Sequence, residues 1–137
     1  MEVAKHICGK TLICPEVGKD GMRCKCVYIM EELDIEREMF LSISYDRTQQ
    51  VPMFTYCPIG GMPFEDIEKL HGSKIKKIFL DIERGVDLPL LSHVANELDI
   101  SETRSQIVFL MKHLYDCFIQ RDALLIEINP LVLTKDK

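Results

Sequence analysis

The sequence carries no excess of basic residues: 17 Lys and Arg stand against 22 Asp and Glu, for a net charge of −5. Nucleic-acid binders show a basic patch or stripe, so that class is disfavoured. No apolar run approaches the ~20 residues of a membrane span. No charged-then-apolar signal peptide opens the chain. No repeat, low-complexity tract or linker interrupts it. Gly60-Gly61 lacks the spacing of a Walker loop or a dinucleotide fingerprint, and by itself reads as a strand-to-helix turn. The four histidines are scattered, and no Ser/His/Asp arrangement can be argued. Six cysteines invite a zinc or disulfide reading. Cys24-Lys25-Cys26 would turn both thiols to one side of a strand, yet no second close pair completes a four-ligand zinc site. Free thiols in a reducing compartment fit better, several of them as small hydrophobes inside apolar runs.

What remains is an ordinary globular balance, 47% hydrophobic and 28% charged. A chain of 137 residues suits one domain or part of one. Glu2 to Cys8 reads as the last turns of a helix, with Gly9 as its stop. Short strands are expected at Thr11 to Cys14 and Cys24 to Met30, separated by a turn at Val17 to Gly21. Glu31 to Asp34 is a polar joint. Arg37 to Tyr45 is the clearest strand: Met39, Leu41, Ile43 and Tyr45 make an apolar face, with Glu38, Ser42 and Ser44 opposite and Phe40 the exception. Asp46 to Gln49 is a hairpin turn to a returning strand, Val51 to Cys57. A short helix at Phe64 to Leu70 and a strand at Ile75 to Ile82 follow. Asp87 is an N-cap ahead of Pro89 and a helix to about Leu98. The helix after Ser101 carries Ile107, Leu110, Met111, Leu114, Phe118 and Ile119 on one stripe. The expected class is α+β: a mainly antiparallel sheet with two main helices packed on it.

The last strand carries Glu127 and Asn129 two residues apart, so both project to one face. A carboxylate beside a carboxamide makes an oxygen-rich edge of the kind Mg²⁺ uses, with phosphate and water completing the shell. The competing reading is a strand end dipping into solvent, with Asn129-Pro130 opening a turn. Glu38 on its strand's polar face has a similarly plain reading as a solvated acid.

Over nearly its whole length the chain resembles the β subunits of succinyl-CoA synthetase, also called succinate–CoA ligase. The resemblance runs through Gly9-Lys10-Thr11-Leu12, Leu33-Asp34-Ile35, Arg37-Glu38-Met39, Asp46-Arg47, Gly60-Gly61, Arg121-Asp122-Ala123 and Glu127-Ile128-Asn129-Pro130-Leu131. The last motif also occurs in sister acyl-CoA synthetases and in ATP citrate lyase. The resemblance implies that residues 1–137 are a partial ATP-grasp domain, mostly its second subdomain. The upstream nucleotide-binding half and the downstream CoA-ligase domain would lie outside the chain, and both ends look cut from something larger. It further implies an acid–thiol ligase coupling succinyl-CoA formation or cleavage to ATP or GTP, through a phosphohistidine on a partner α subunit. Asn129 would be a Mg²⁺ ligand, sharing the ion with an aspartate beyond Lys137. Glu38 would contact the nucleotide. Met30, Glu31 and Leu33 would belong to the hinge that meets the base. Glu127 would face the phosphohistidine loop and assist phosphoryl passage. The isolated segment would be inactive. Succinate and CoA would be handled by the full heterodimer, in the mitochondrial matrix of a eukaryote or the cytoplasm of a bacterium, with no nucleic-acid or membrane partner. The alternatives are a malate–CoA ligase or citrate-cleaving sister enzyme, and a nucleotide-binding or subunit-contact module without chemistry. Ile59 stands before Gly60-Gly61 where the family often has a polar or acidic residue, and Met30 stands in the hinge where bacterial members can carry an acid, a departure that bears on the base contacts.

Overall fold

Apolar alternation can build a strand only where a second backbone completes its hydrogen bonds, and that condition separates two parts of this chain. The computed structural model describes residues 2–15 and 17–136, which fall into two units, Met1–Leu33 and Asp34–Lys137. In the first unit, helix α1 (Glu2–Ile7) holds Glu2 in its first turn and Lys5 and His6 in its last. These charges complement the helix dipole. Gly9 follows at φ +83°, the left-handed stop that was predicted. Strands β1 (Thr11–Leu12) and β2 (Met22–Arg23) pair antiparallel. Two further bonds extend the pair, Cys24 N–H to Lys10 O at 2.8 Å and Gly9 N–H to Cys24 O at 2.7 Å. The strand expected from Cys24 to Met30 does not form; residues 24–34 carry no regular secondary structure. Their apolar composition resembles a strand, but their backbone finds no ladder among the described residues.

In the second unit, β3 (Ile35–Asp46), β4 (Val51–Cys57), β5 (Lys76–Phe79) and β6 (Leu125–Thr134) form one sheet in the order β5-β4-β3-β6, antiparallel throughout. The β3–β4 turn is set by Asp46, whose Oδ1 accepts from the Thr48 and Gln49 amides at 2.9 and 2.7 Å. Helices α3 (Leu88–Glu97) and α4 (Arg104–Gln120) cover one face of the sheet. Leu41, Ile43, Phe54 and Tyr56 there meet Leu91, Val94, Met111 and Phe118. Asp87 is the N-cap residue of α3, as predicted, though its side chain makes no capping bond. The α4 stripe departs from expectation at two positions. Tyr115 is buried, whereas Ile119 is 41% exposed. Residues 107, 111, 115 and 118 stay within one helical face, and one more residue turns the side chain about 100° away from it.

The opposite face has its own small core, and it explains Phe40. Helix α2 (Phe64–His71) seats its own Ile67 against Phe40 and Cys57, with the Phe40 and Phe64 rings 4.9 Å apart. Ser42 and Thr55, polar and on this face, are also buried. The last strand decides against the competing reading of its end. Asn129-Pro130 does not open a turn: β6 continues to Thr134. Met39 pairs with Leu131 and Leu41 with Ile128, so Phe40 alone faces Asn129 and Pro130 in a bulge, with a cis peptide between them. An edge strand tolerates proline at such a bulge. No helix among the described residues is long and apolar enough to cross a membrane.

Candidate functional site

Alternation along β3 places Glu38, Phe40 and Ser42 on the face that α2 covers. Ser42 pairs with Glu127 in register and Glu38 with Val132. The two strands are antiparallel, so Asn129 in the bulge lies between the Glu38 and Glu127 positions. Glu38 and Glu127 are exposed and Asn129 is half-buried.

Gly60-Gly61, between β4 and α2, joins Glu38 and Asn129 in this row. Gly60 N–H donates to the Glu38 carbonyl at 2.9 Å. Gly61 N–H donates to Asn129 Oδ1 at 3.0 Å, and Asn129 Nδ2 donates to the Met62 carbonyl at 2.8 Å. The carboxamide is thereby fixed in orientation, oxygen toward the glycine. A side chain on either glycine would destroy the approach. A Cβ at Gly60 would sit 2.2 Å from the Met39 carbonyl oxygen, and one at Gly61 would sit 2.5 Å from Glu38 Oε2. Gly61 also has φ +74°, a conformation that favours glycine. Glu38 and Asn129, 91 positions apart in sequence, thus both abut one glycine.

The sequence pointed to Glu38, Glu127 and Asn129, and the fold gathers all three onto one sheet face. Met30, Glu31 and Leu33 lie in the first unit, exposed, within the segment lacking regular secondary structure. What sequence reasoning passed over was the scaffolding role of Gly60-Gly61 and the Met62 carbonyl. The one available signal was two consecutive glycines directly after a strand.

The donor set is all oxygen. Among the described residues no group of three or more His, Cys, Asp and Glu could hold a metal ion. The oxygens of one amide and of neighbouring carboxylates are of the hard type that Mg²⁺ prefers, an ion that takes few protein ligands and keeps the rest of its shell for phosphate and water. Asn129 Oδ1 accepts one hydrogen bond and keeps a second lone pair for such a ligand role. The strongly perturbed groups lie elsewhere. Burial, then a hydrogen bond to Glu97 and its charge, push the Tyr56 hydroxyl far above its ordinary range, on the α3 side of the sheet. Burial, with lesser contributions from Tyr45, Asp116 and Asp81, raises Tyr115.

Residues 1–133 match the family described as the ATP-grasp domain. The chain is similar to a protein of Leptospira biflexa named succinate–CoA ligase [ADP-forming] subunit beta, at 35% identity over 96% of this chain and 34% of that one. It is 34% identical to the protein of the same name from Campylobacter curvus, over 99% of this chain and 35% of that one. A hydrogenosomal form from Trichomonas vaginalis is 29% identical over 98% of this chain and 33% of its own. The chain spans about a third of the length of these relatives.

Proposed function

The chain belongs to the ATP-grasp domain family, and from that premise we propose that it is the second-subdomain part of a succinate–CoA ligase β subunit. In that role it helps bind a nucleoside triphosphate and pass its phosphoryl group to a histidine of a partner α subunit. The ADP-forming names of the relatives favour ATP. The observation that carries the reading is the row Glu38, Asn129, Glu127 on one sheet face, in which the Gly60-Gly61 backbone holds the Glu38 strand and orients Asn129.

Phosphoryl transfer depends on positioning and charge neutralisation more than on covalent help from the protein. A magnesium ion, when bound, neutralises phosphate charge. Asn129 Oδ1 would hold it as a neutral oxygen, already oriented by Gly61. Glu38 contacts the nucleotide, its backbone carbonyl held by the Gly60 N–H and its carboxylate lying beside Gly61. Glu127, exposed two residues before Asn129, orients an incoming imidazole and accepts its N–H, which keeps the opposite ring nitrogen free to receive phosphate. Met30, Glu31 and Leu33 supply contacts to the base. The activity belongs to the full complex, and the chain by itself does not turn over.

The test is Glu127→Gln in the full-length β subunit assembled with its α partner. Histidine phosphorylation is expected to fall by about 10²- to 10⁴-fold, the usual worth of a positioned acid–base group. Nucleotide affinity is expected to stay unchanged. Undiminished labelling would instead favour a module that binds nucleotide or partner without assisting the chemistry.

A further inference from the structure

Four of the six cysteines fall within the first unit: Cys8, Cys14, Cys24 and Cys26. The phosphoryl-transfer reading uses none of them. The Cys24 thiol donates to the Cys26 carbonyl at 3.2 Å, folding back over the residue two positions on. The Cys8 thiol lies 3.5 Å from the Lys25 carbonyl between them. Cys24 and Cys26 line the same cavity of about 550 Å³, with Cys14, Leu12, Val17 and Met22. All are free thiols. Cys26 is exposed and Cys24 half-exposed, whereas Cys57 is sealed beneath α2. Two thiols with one residue between them, at least one of them open to solvent, have the makings of a reversible covalent pair.

We propose that Cys24 and Cys26 form an oxidation site that a peroxide converts reversibly to a disulfide. The exposed Cys26 sulfur attacks the peroxide O–O bond, giving a sulfenic acid and releasing one water when the oxidant is hydrogen peroxide. The Cys24 sulfur then attacks the Cys26 sulfur. The S–O bond breaks, the S–S bond forms, and the hydroxyl leaves with the Cys24 proton as a second water. Two thiols lose two electrons in all, and the peroxide is reduced by two. The backbone can accommodate the closure because the β1–β2 ladder ends at Cys24, and residues 24–34 have no regular secondary structure to break. Disulfide formation needs the two sulfurs at about 2.05 Å, so the Cys24 thiol must leave the Cys26 carbonyl it now donates to and turn to the neighbouring sulfur. An exposed bond in so small a ring belongs to the readily reduced class.

The full chain treated with hydrogen peroxide, then alkylated and mapped by mass spectrometry, tests this. Two of its six thiols are expected to escape alkylation, both on Cys24-Lys25-Cys26, and dithiothreitol is expected to restore them. Cys24→Ser should abolish the disulfide and leave a Cys26 sulfenic acid that dimedone traps. Circular dichroism of this variant should match the parent, since neither side chain lies in a packed core. Six alkylatable thiols after peroxide would overturn the proposal. So would a disulfide joining Cys8 to either residue, or one joining two chains through Cys117.

Discussion

The two faces of the four-stranded sheet are stabilised by different means. One is covered by α3 and α4 and packed with hydrocarbon: Leu41, Ile43, Phe54, Met111 and Phe118 are fully or nearly fully buried. The other holds a small apolar patch under α2, and beside it a row of polar groups set by backbone approach. The first face depends on volume, and hydrophobic burial is non-directional. The second depends on the placement of a few hydrogen bonds, which fail when one atom is missing. The candidate site belongs to the second kind. Positions that must present oxygen atoms to a ligand cannot also be buried in hydrocarbon without losing their solvation.

That division can be broken or sharpened by substitution. The largest effect is expected on the helix-covered face. Phe118→Ala removes a fully buried ring that packs 4.9 Å from Tyr45, and should cost about 3–5 kcal/mol in urea unfolding. Gly60→Ala comes next. Its added methyl has no flexible neighbour to displace, only the Met39 backbone, so a loss of about 3 kcal/mol is expected, the upper end for overpacking. The same variant should weaken nucleotide binding in the full complex, because Glu38 must move with the strand. Asn129→Ala removes two hydrogen bonds, one to the Gly61 N–H, which water can then reach, and one to the half-buried Met62 carbonyl, for about 1.5 kcal/mol in all. A cost equal to that of Phe118→Ala would dissolve the contrast between the faces.

The smallest effect is on a polar contact of the packed face. Tyr56→Phe removes the hydroxyl that donates to Glu97, a carboxylate also near Lys76 and His93, and should cost about 1 kcal/mol at neutral pH. Its signature is in the pH dependence. The folded chain holds the Tyr56 proton more tightly than the unfolded chain does. The stabilisation is therefore complete below the unfolded value of about 10 and drains away as pH rises beyond it. Unfolding midpoints followed through this alkaline range should fall more steeply for the parent than for Tyr56→Phe.

Much of the fold was legible before any coordinates. The 2-residue period of Met39, Leu41 and Ile43 marked β3, and Asp46 marked its turn. Gly9 marked a helix end and Ile107, Met111 and Phe118 a helix face. The failures share a cause. Cys24 to Met30 has strand composition but no pairing backbone, and composition carries no information about a partner. Phe40 looked misplaced on a polar face until α2 covered it. Asn129-Pro130 carries a turn signal, which the β3 ladder overrode by absorbing both residues opposite Phe40. In the site, Glu127 and Asn129 were legible through local spacing. The link from Asn129 to Gly61 and Met62 was not, because it spans 68 and 67 positions.

By itself the sequence determined the chemistry on offer: two acids, a carboxamide, a glycine pair, thiols spaced one residue apart, and the periodicities that divide apolar from polar faces. These are local properties, fixed by the residue types and their separation along the chain. Only the tertiary structure decided which of them meet. Bringing Glu38, Gly61 and Asn129 together requires closing long loops, and the packing of α2 and the helix-covered core offsets that entropy; no short-range pattern records such a closure.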